Sequence, residues 1–184
     1  MDTIFNSFLL VFVSEMGDKT QLLALVLMMK FRKPWAIMAG IFIATILNHA
    51  LAAWGGKWLS DQFSPQALAI ILAATFIFFA GWILIPDKEE EFHQSRKFGA
   101  FVTTVFMFFI AEMGDKTQLA TVALGAKFTD VKMVTLGTTL GMMGSNSLVI
   151  FFGDKILKRI PMKWIRIFAS LLFFIFGVAV LLGY

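Results

Sequence analysis

The sequence predicts an all-α integral membrane protein, with six transmembrane helices arranged as two inverted three-helix repeats. Three observations carry that expectation. Of 184 residues, 59% are hydrophobic and only 15% charged, against about 25% charged in soluble domains, and the mean hydropathy is +0.81. Apolar runs recur, each of about 20 residues or more and so long enough to cross a hydrocarbon core about 30 Å thick. Finally, the octet Glu15-Met16-Gly17-Asp18-Lys19-Thr20-Gln21-Leu22 returns unchanged 97 residues later as Glu112-Met113-Gly114-Asp115-Lys116-Thr117-Gln118-Leu119. Self-similarity at a fixed offset marks a duplicated structural unit.

In chain order, the first span is expected at about 4–29. The opening Met1-Asp2-Thr3 has no basic n-region, and the run that follows is long enough to span, so it reads as structure rather than as a cleaved leader. Lys30, Arg32, Lys33 and Pro34 close it. The second span is expected at 35–58 and the third at 65–85, opened by Pro65. Residues 86–97, from Pro86 through Glu89, Glu90 and Glu91 to Arg96 and Lys97, form the one substantially hydrophilic segment. The fourth, fifth and sixth spans fall at 98–126, 131–153 and 162–182.

The repeat reaches beyond the octet. Lys30-Phe31 matches Lys127-Phe128 at the same offset, as do Gly40 with Gly137, Leu51 with Leu148 and Gly56 with Gly153. With one residue deleted, Pro65 matches Pro161 and Gly81 matches Gly177. Residues 1–85 are therefore one repeat, 86–97 a linker and 98–184 the second repeat. An odd number of spans per repeat makes the second copy enter the membrane from the opposite side. That plan is shared by many secondary transporters, whose substrates bind near the midplane where the repeats meet.

Charge sets the orientation. Of 16 Lys and Arg residues, 11 fall on the side of the linker; Lys57, Lys127 and Lys132 fall on the other; Lys19 and Lys116 lie within the spans. The positive-inside rule then makes the linker cytoplasmic and leaves both termini outside. The formal charge of +4 is accounted for by these loops and requires no nucleic acid. The absence of cysteine excludes disulfides, thiolate metal sites and thiol catalysis.

The octets put carboxylates and ammonium groups in the middle of apolar runs, where each charge costs about 2.5–3.5 kcal/mol even on a lenient insertion scale. On a helix, Glu15 and Asp18 would share a face, as would Glu112 and Asp115. Two inverted copies would then direct four carboxylates at one central point. Thr20, Gln21, Thr117 and Gln118 would add neutral oxygens. Gly17 and Gly114 would let a backbone approach closely, or let the helix unwind and offer carbonyls. Oxygen ligands suit a hard divalent cation such as Ca²⁺, Mg²⁺ or Mn²⁺. Each copy sums to −1 and the pair to −2, which one divalent cation cancels. When it leaves, clustered carboxylates in a low-dielectric site would take up protons, so metal and protons compete for the same acids. Lys19 and Lys116 would serve as internal counter-ions.

A bland alternative is that these charges only pair across a helix interface, but small and neutral residues do that without the desolvation cost. Other polar positions carry weaker signals. Asn48-His49 aligns with Ser145-Asn146, so these residues, Asn48 and Asn146 foremost, could support the site from behind, offer a proton path or join helices by ordinary hydrogen bonds; His49 has no histidine counterpart and is not expected to be an essential ligand. Met16 and Met113 read mainly as packing.

The twin motif Glu-x-Gly-Asp-(Lys/Arg)-(Thr/Ser), one copy per half, resembles the hallmark of a family of cation/proton antiporters found in bacterial inner membranes, chloroplasts and the Golgi. The resemblance covers nearly the whole chain. It implies a multi-pass protein of the bacterial inner membrane that exports Mn²⁺, with Ca²⁺ as the second choice, in exchange for protons. It also implies Glu15, Asp18, Glu112 and Asp115 as the cation site, with Thr20 and Thr117 beside them. No cofactor is expected besides the transported ions. The bilayer is the expected partner, and a homo-oligomer is left open. Two alternatives from other classes are a divalent cation channel, since acidic rings also select cations, and an intramembrane aspartic protease with Asp18 and Asp115 as the dyad.

Overall fold

A glycine with positive φ stops a helix, and the octets contain one each. In a computed structural model describing residues 2–85, 98–153 and 161–183, Gly17 has φ +82 and Gly114 φ +79, values at which the next helical hydrogen bond cannot form. The continuous helices expected at 4–29 and 98–126 are therefore each broken in two. Among the described residues there are eight helices and no strand: α1 (Asp2–Ser14), α2 (Lys19–Phe31), α3 (Pro34–Ser60), α4 (Pro65–Trp82), α5 (Ala100–Glu112), α6 (Lys116–Phe128), α7 (Val131–Phe152) and α8 (Met162–Leu181). The hydrophilic linker and its acidic cluster lie outside the described residues.

Local chemistry sets the boundaries. Pro34 and Pro65 open α3 and α4 at positions where no backbone donor is needed. The Ser64 and Asp130 side chains accept from Ala67 N–H and Met133 N–H to cap α4 and α7. The short second halves of the broken spans end alike: Arg32 (φ 53) and Thr129 (φ 56) adopt the left-handed conformation and return their N–H groups to Met28 and Gly125 carbonyls.

Four helices, α3, α4, α7 and α8, are long and apolar enough to cross a membrane; α1 and α5 carry shorter apolar runs. Helix α1 packs on α7, α3 on α5, α6 and α7, and α4 on α8. Lipid offers no hydrophobic gain for joining helices, so close approach of small residues has to supply the contact. The crossings show it. A side chain at Gly137 or Gly141 would collide with α1 at Ile4, Ser7 or Phe8, and one at Gly40 with Thr104 of α5. Gly56 and Gly125 bring α3 and α6 backbone to backbone, against the Val122 and Ala53 carbonyls. Phe76, Phe79, Phe173 and Phe176 interlock α4 with α8. Large apolar side chains such as Phe5, Trp35, Trp54, Phe78 and Trp164 face outward, the surface a bilayer solvates.

Candidate metal centre

The two helix breaks build the site. Glu15 follows the last residue of α1 and Glu112 is the last of α5; Asp18 and Asp115 precede α2 and α6 with extended backbones. The expectation that Glu15 and Asp18 share one helical face is thus corrected: each Glu/Asp pair straddles a break. Both aspartates occupy N-cap positions, yet neither carboxylate caps its own helix. The glutamines tie the break instead. Gln21 Oε1 accepts from Gly17 N–H at 2.9 Å and Gln118 Oε1 from Gly114 N–H at 2.7 Å. This spares the aspartates for other work and engages the glutamine oxygens, which the sequence reading had offered as extra neutral oxygens near the site.

The helix ends also contribute. The carbonyl ends of α1 and α5 carry partial negative charge, about half an electron each, and the N–H ends of α2 and α6 the opposite. Broken helices of this kind suit ions at membrane depth.

Glu15, Glu112 and Asp115 each place a carboxylate oxygen within 4.8 Å of the others. Two oxygens on opposite sides of a hard cation at Ca²⁺-type bond lengths stand about 4.6–5.2 Å apart, so the three converge at a distance one ion can bridge. Both glutamates are fully buried and Asp115 is 8% exposed. Asp18, 7% exposed, is not within this triad. It shares with Asp115 the wall of a cavity of about 20 Å³ that Met16, Gly17, Lys116 and Arg166 also line, room for about one water.

The two glutamates differ in their surroundings. Glu15 accepts from Thr20 Oγ1 at 2.7 Å and from Thr117 Oγ1, which reaches across from the other half. Neither oxygen of Glu112 has a hydrogen-bond partner among the described residues. A buried carboxylate so placed carries an uncompensated desolvation cost, which a cation or a proton would offset. Lys19 Nζ lies 3.4 Å from Asp115 Oδ1, an ion pair between the halves. Lys116 Nζ donates to the Ile85 carbonyl at 3.1 Å and stands 5.8 Å from the centroid of the Trp82 ring.

The remaining positions are peripheral. Asn48 Nδ2 donates to the Phe109 carbonyl at 3.0 Å, joining α3 to α5, and Asn146 Nδ2 donates to the Met142 carbonyl at 3.1 Å within α7. Ser145 belongs to the polar pair that the alignment with Asn48-His49 marked, whereas Met162 and Trp82 are contributors that sequence reasoning did not single out. Ser145 holds Gln21 Nε2 through its carbonyl at 2.8 Å and its hydroxyl at 2.7 Å. Met162 covers Gly17. Trp82 faces Lys116. The helix starts themselves had a signal, since Asp-x-x-Gln in both octets is a helix N-terminus pattern.

Comparison with known proteins fits this geometry. No solved structure matches the chain. A protein of Vibrio cholerae named "Putative manganese exporter" is 44% identical over 97% of this chain and 90% of its own length. A GDT1-like protein of Synechocystis is 28% identical over 92% of both chains. A GDT1-like protein of Arabidopsis thaliana is 27% identical over 97% of this chain and 70% of its own. The profile of the divalent cation/proton antiporter GDT1 family matches residues 3–91 and 100–184. Both octets, with the carboxylates they bury, lie inside those limits, and the chain belongs to that family of multi-pass membrane transporters.

Proposed function

We propose that the chain exports Mn²⁺ from the bacterial cytoplasm in exchange for protons, through one carboxylate site that both halves build. The observation that carries this reading is the buried triad of Glu15, Glu112 and Asp115, with oxygens within 4.8 Å, in a chain of the antiporter family. Oxygen donors favour a hard divalent cation, and the name of the Vibrio relative points to Mn²⁺ within that class; Ca²⁺ is the second candidate. Metal and protons compete for the same acids, so release of one on either side of the membrane is linked to uptake of the other.

The six-span inverted plan, with residues 1–85 and 98–184 as the repeats, belongs to this reading. Paired with α2, α1 makes one span, and α5 with α6 makes another. Matching details at the offset of 97 support it. The contact of Gly40 with Thr104 corresponds to that of Gly137 with Ser7, and the left-handed caps at Arg32 and Thr129 correspond to each other. The charge bias supports a cytoplasmic linker with both termini outside.

The test uses purified protein in proteoliposomes with an acidic lumen. Mn²⁺, Ca²⁺ or Mg²⁺ is added outside while luminal pH and metal uptake are followed. Metal-driven proton efflux is expected, with Mn²⁺ the best substrate. E15Q and E112Q are expected to lower the rate by about 100-fold or more, as loss of an essential charged ligand would. Full exchange by either mutant would sink the proposed site, and metal uptake without proton movement would mean a channel.

A further inference from the structure

The close contacts made by glycines divide the helices into two sets. A side chain at Gly40, Gly56, Gly125, Gly137 or Gly141 would collide with a neighbouring helix inside the group α1, α3, α5, α6 and α7. Apart from these, Gly177 brings α8 onto the Ala73 carbonyl and Ile77 of α4, and the rings of Phe76, Phe79, Phe173 and Phe176 interlock the same two helices. Among the described residues one glycine contact joins the sets: Gly17 lies under the thioether of Met162, the first residue of α8. A methionine is unbranched and adaptable, so this contact can open without a backbone collision to overcome.

The pair of α4 and α8 is seated at one end and held off at the other. At the end next to the linker, Met162 covers Gly17, and Ile83, Ile85 and Ala169 wall the small cavity that reaches Asp18 and Asp115. At the far end a cavity of about 290 Å³ parts α4 from α6, with Leu68, Ile71 and Leu72 on one side and Leu119, Val122 and Ala126 on the other. The second break is bare by comparison: Met113 is 58% exposed, and nothing lies within 4 Å of the position a side chain at Gly114 would take. At the offset of 96 that aligns Pro65 with Pro161, the counterpart of Met162 is Gln66, which stands at the start of α4 on the held-off end.

We propose that α4 and α8 rock as one body against the other helices, with Met162 as the gate over the first break. The inference rests on the reading of the carboxylate cluster as the cation site. Closing the gap beside α6 tilts the pair and carries the start of α8 off Gly17. The start of α4 then moves toward the second break, where Gln66 takes the part that Met162 has given up in the first. Access to the acids passes from one end of the pair to the other, and the glycine contacts within each set stay intact. Packed helices that move as bodies around a fixed site are how such exchange is achieved without repacking the core.

The experiment measures spin-label distances in the full-length protein, whose sequence has no cysteine and so carries labels only where they are placed. Three outward-facing pairs are used: I70C/I175C within α4 and α8, I70C/W58C beside the cavity, and M29C/W164C at the linker end. Each is measured in nanodiscs, metal-free at low pH and with saturating Mn²⁺. Between the two conditions the first distance is expected to stay constant, while the second and third change in opposite senses by about 3–5 Å. M162A is expected to raise the population with the short second distance severalfold in the absence of metal, and M162L, of similar volume, to keep the wild-type distribution. A change within the α4 and α8 pair as large as those outside it would overturn the proposal. So would second and third distances that move alike or not at all, or an M162A distribution equal to wild type. Exchange by the labelled proteins in proteoliposomes keeps the two readings apart. Fixed distances with normal Mn²⁺-driven proton efflux bring down the rocking pair alone, whereas absence of that efflux in the unlabelled wild type brings down the cation-site reading.

Discussion

The two octets are identical in sequence and nearly identical in backbone, with glycine φ of +82 and +79 and the same glutamine-to-glycine hydrogen bond. Their surroundings differ at almost every side chain. Glu15 is held by two hydroxyls and Glu112 by none among the described residues. Gly17 is covered by Met162, whereas nothing lies within 4 Å of the position a side chain at Gly114 would take. Gln21 reaches Ser145 on α7 in addition to closing its own break. The lesson is that the motif dictates the break, and the helices packed around it dictate what each copy does.

The widest expected difference lies where the halves cross their partner helices. Gly125 touches the Ala53 backbone, a collision no rotamer can relieve, so Gly125→Val should cost about 3 kcal/mol or more. Gly55, with open space beside it, provides the control, and thermal unfolding in detergent reads the difference. Equal melting of the two variants would mean that α3 and α6 are not in backbone contact. A smaller contrast separates the glutamines. Gln21→Ala removes hydrogen bonds to Gly17 and Ser145 and should destabilise by about 2–3 kcal/mol, whereas Gln118→Ala, losing the bond to Gly114, should cost about 1 kcal/mol. If the order reversed in the same assay, Ser145 would not be an anchor. The smallest contrast is at the glycines. Alanine at Gly17 or Gly114 meets the left-handed penalty of about 1–2 kcal/mol, and Gly17→Ala should lose more because Met162 stands in the way. Met162→Ala should bring the two variants level, and a persistent gap would assign the difference to the backbone alone.

Much of this was legible in the chain. The long apolar helices α3, α4, α7 and α8 fall in runs that length alone marked off, and duplication of the octet drew attention to the acids that the structure buries. The breaks were harder to read. Hydropathy treats 4–29 as one run, because a window of that size averages Gly17 into its neighbours; the Asp18-x-x-Gln21 pattern was the local sign of a new helix. The triad of Glu15, Glu112 and Asp115 was not separable from Asp18 by spacing, since it depends on how two breaks meet in space. The roles of Met162 and Trp82 were hidden for the same reason. Each acts on a motif residue through the packing of a different helix, and no periodicity records such a meeting.

The hydrogen bond from Thr117 to Glu15 has a consequence for how the chain matures. Neither half can furnish Glu15 with both of its hydroxyls, so a first half that reaches the membrane alone carries a carboxylate whose partner has not yet been synthesised. Burial of that acid has to wait for the second half. The polar seam therefore joins the halves: they gain their full stability by finding each other, and an unmated half is left with an acid it cannot bury with both hydroxyls in place.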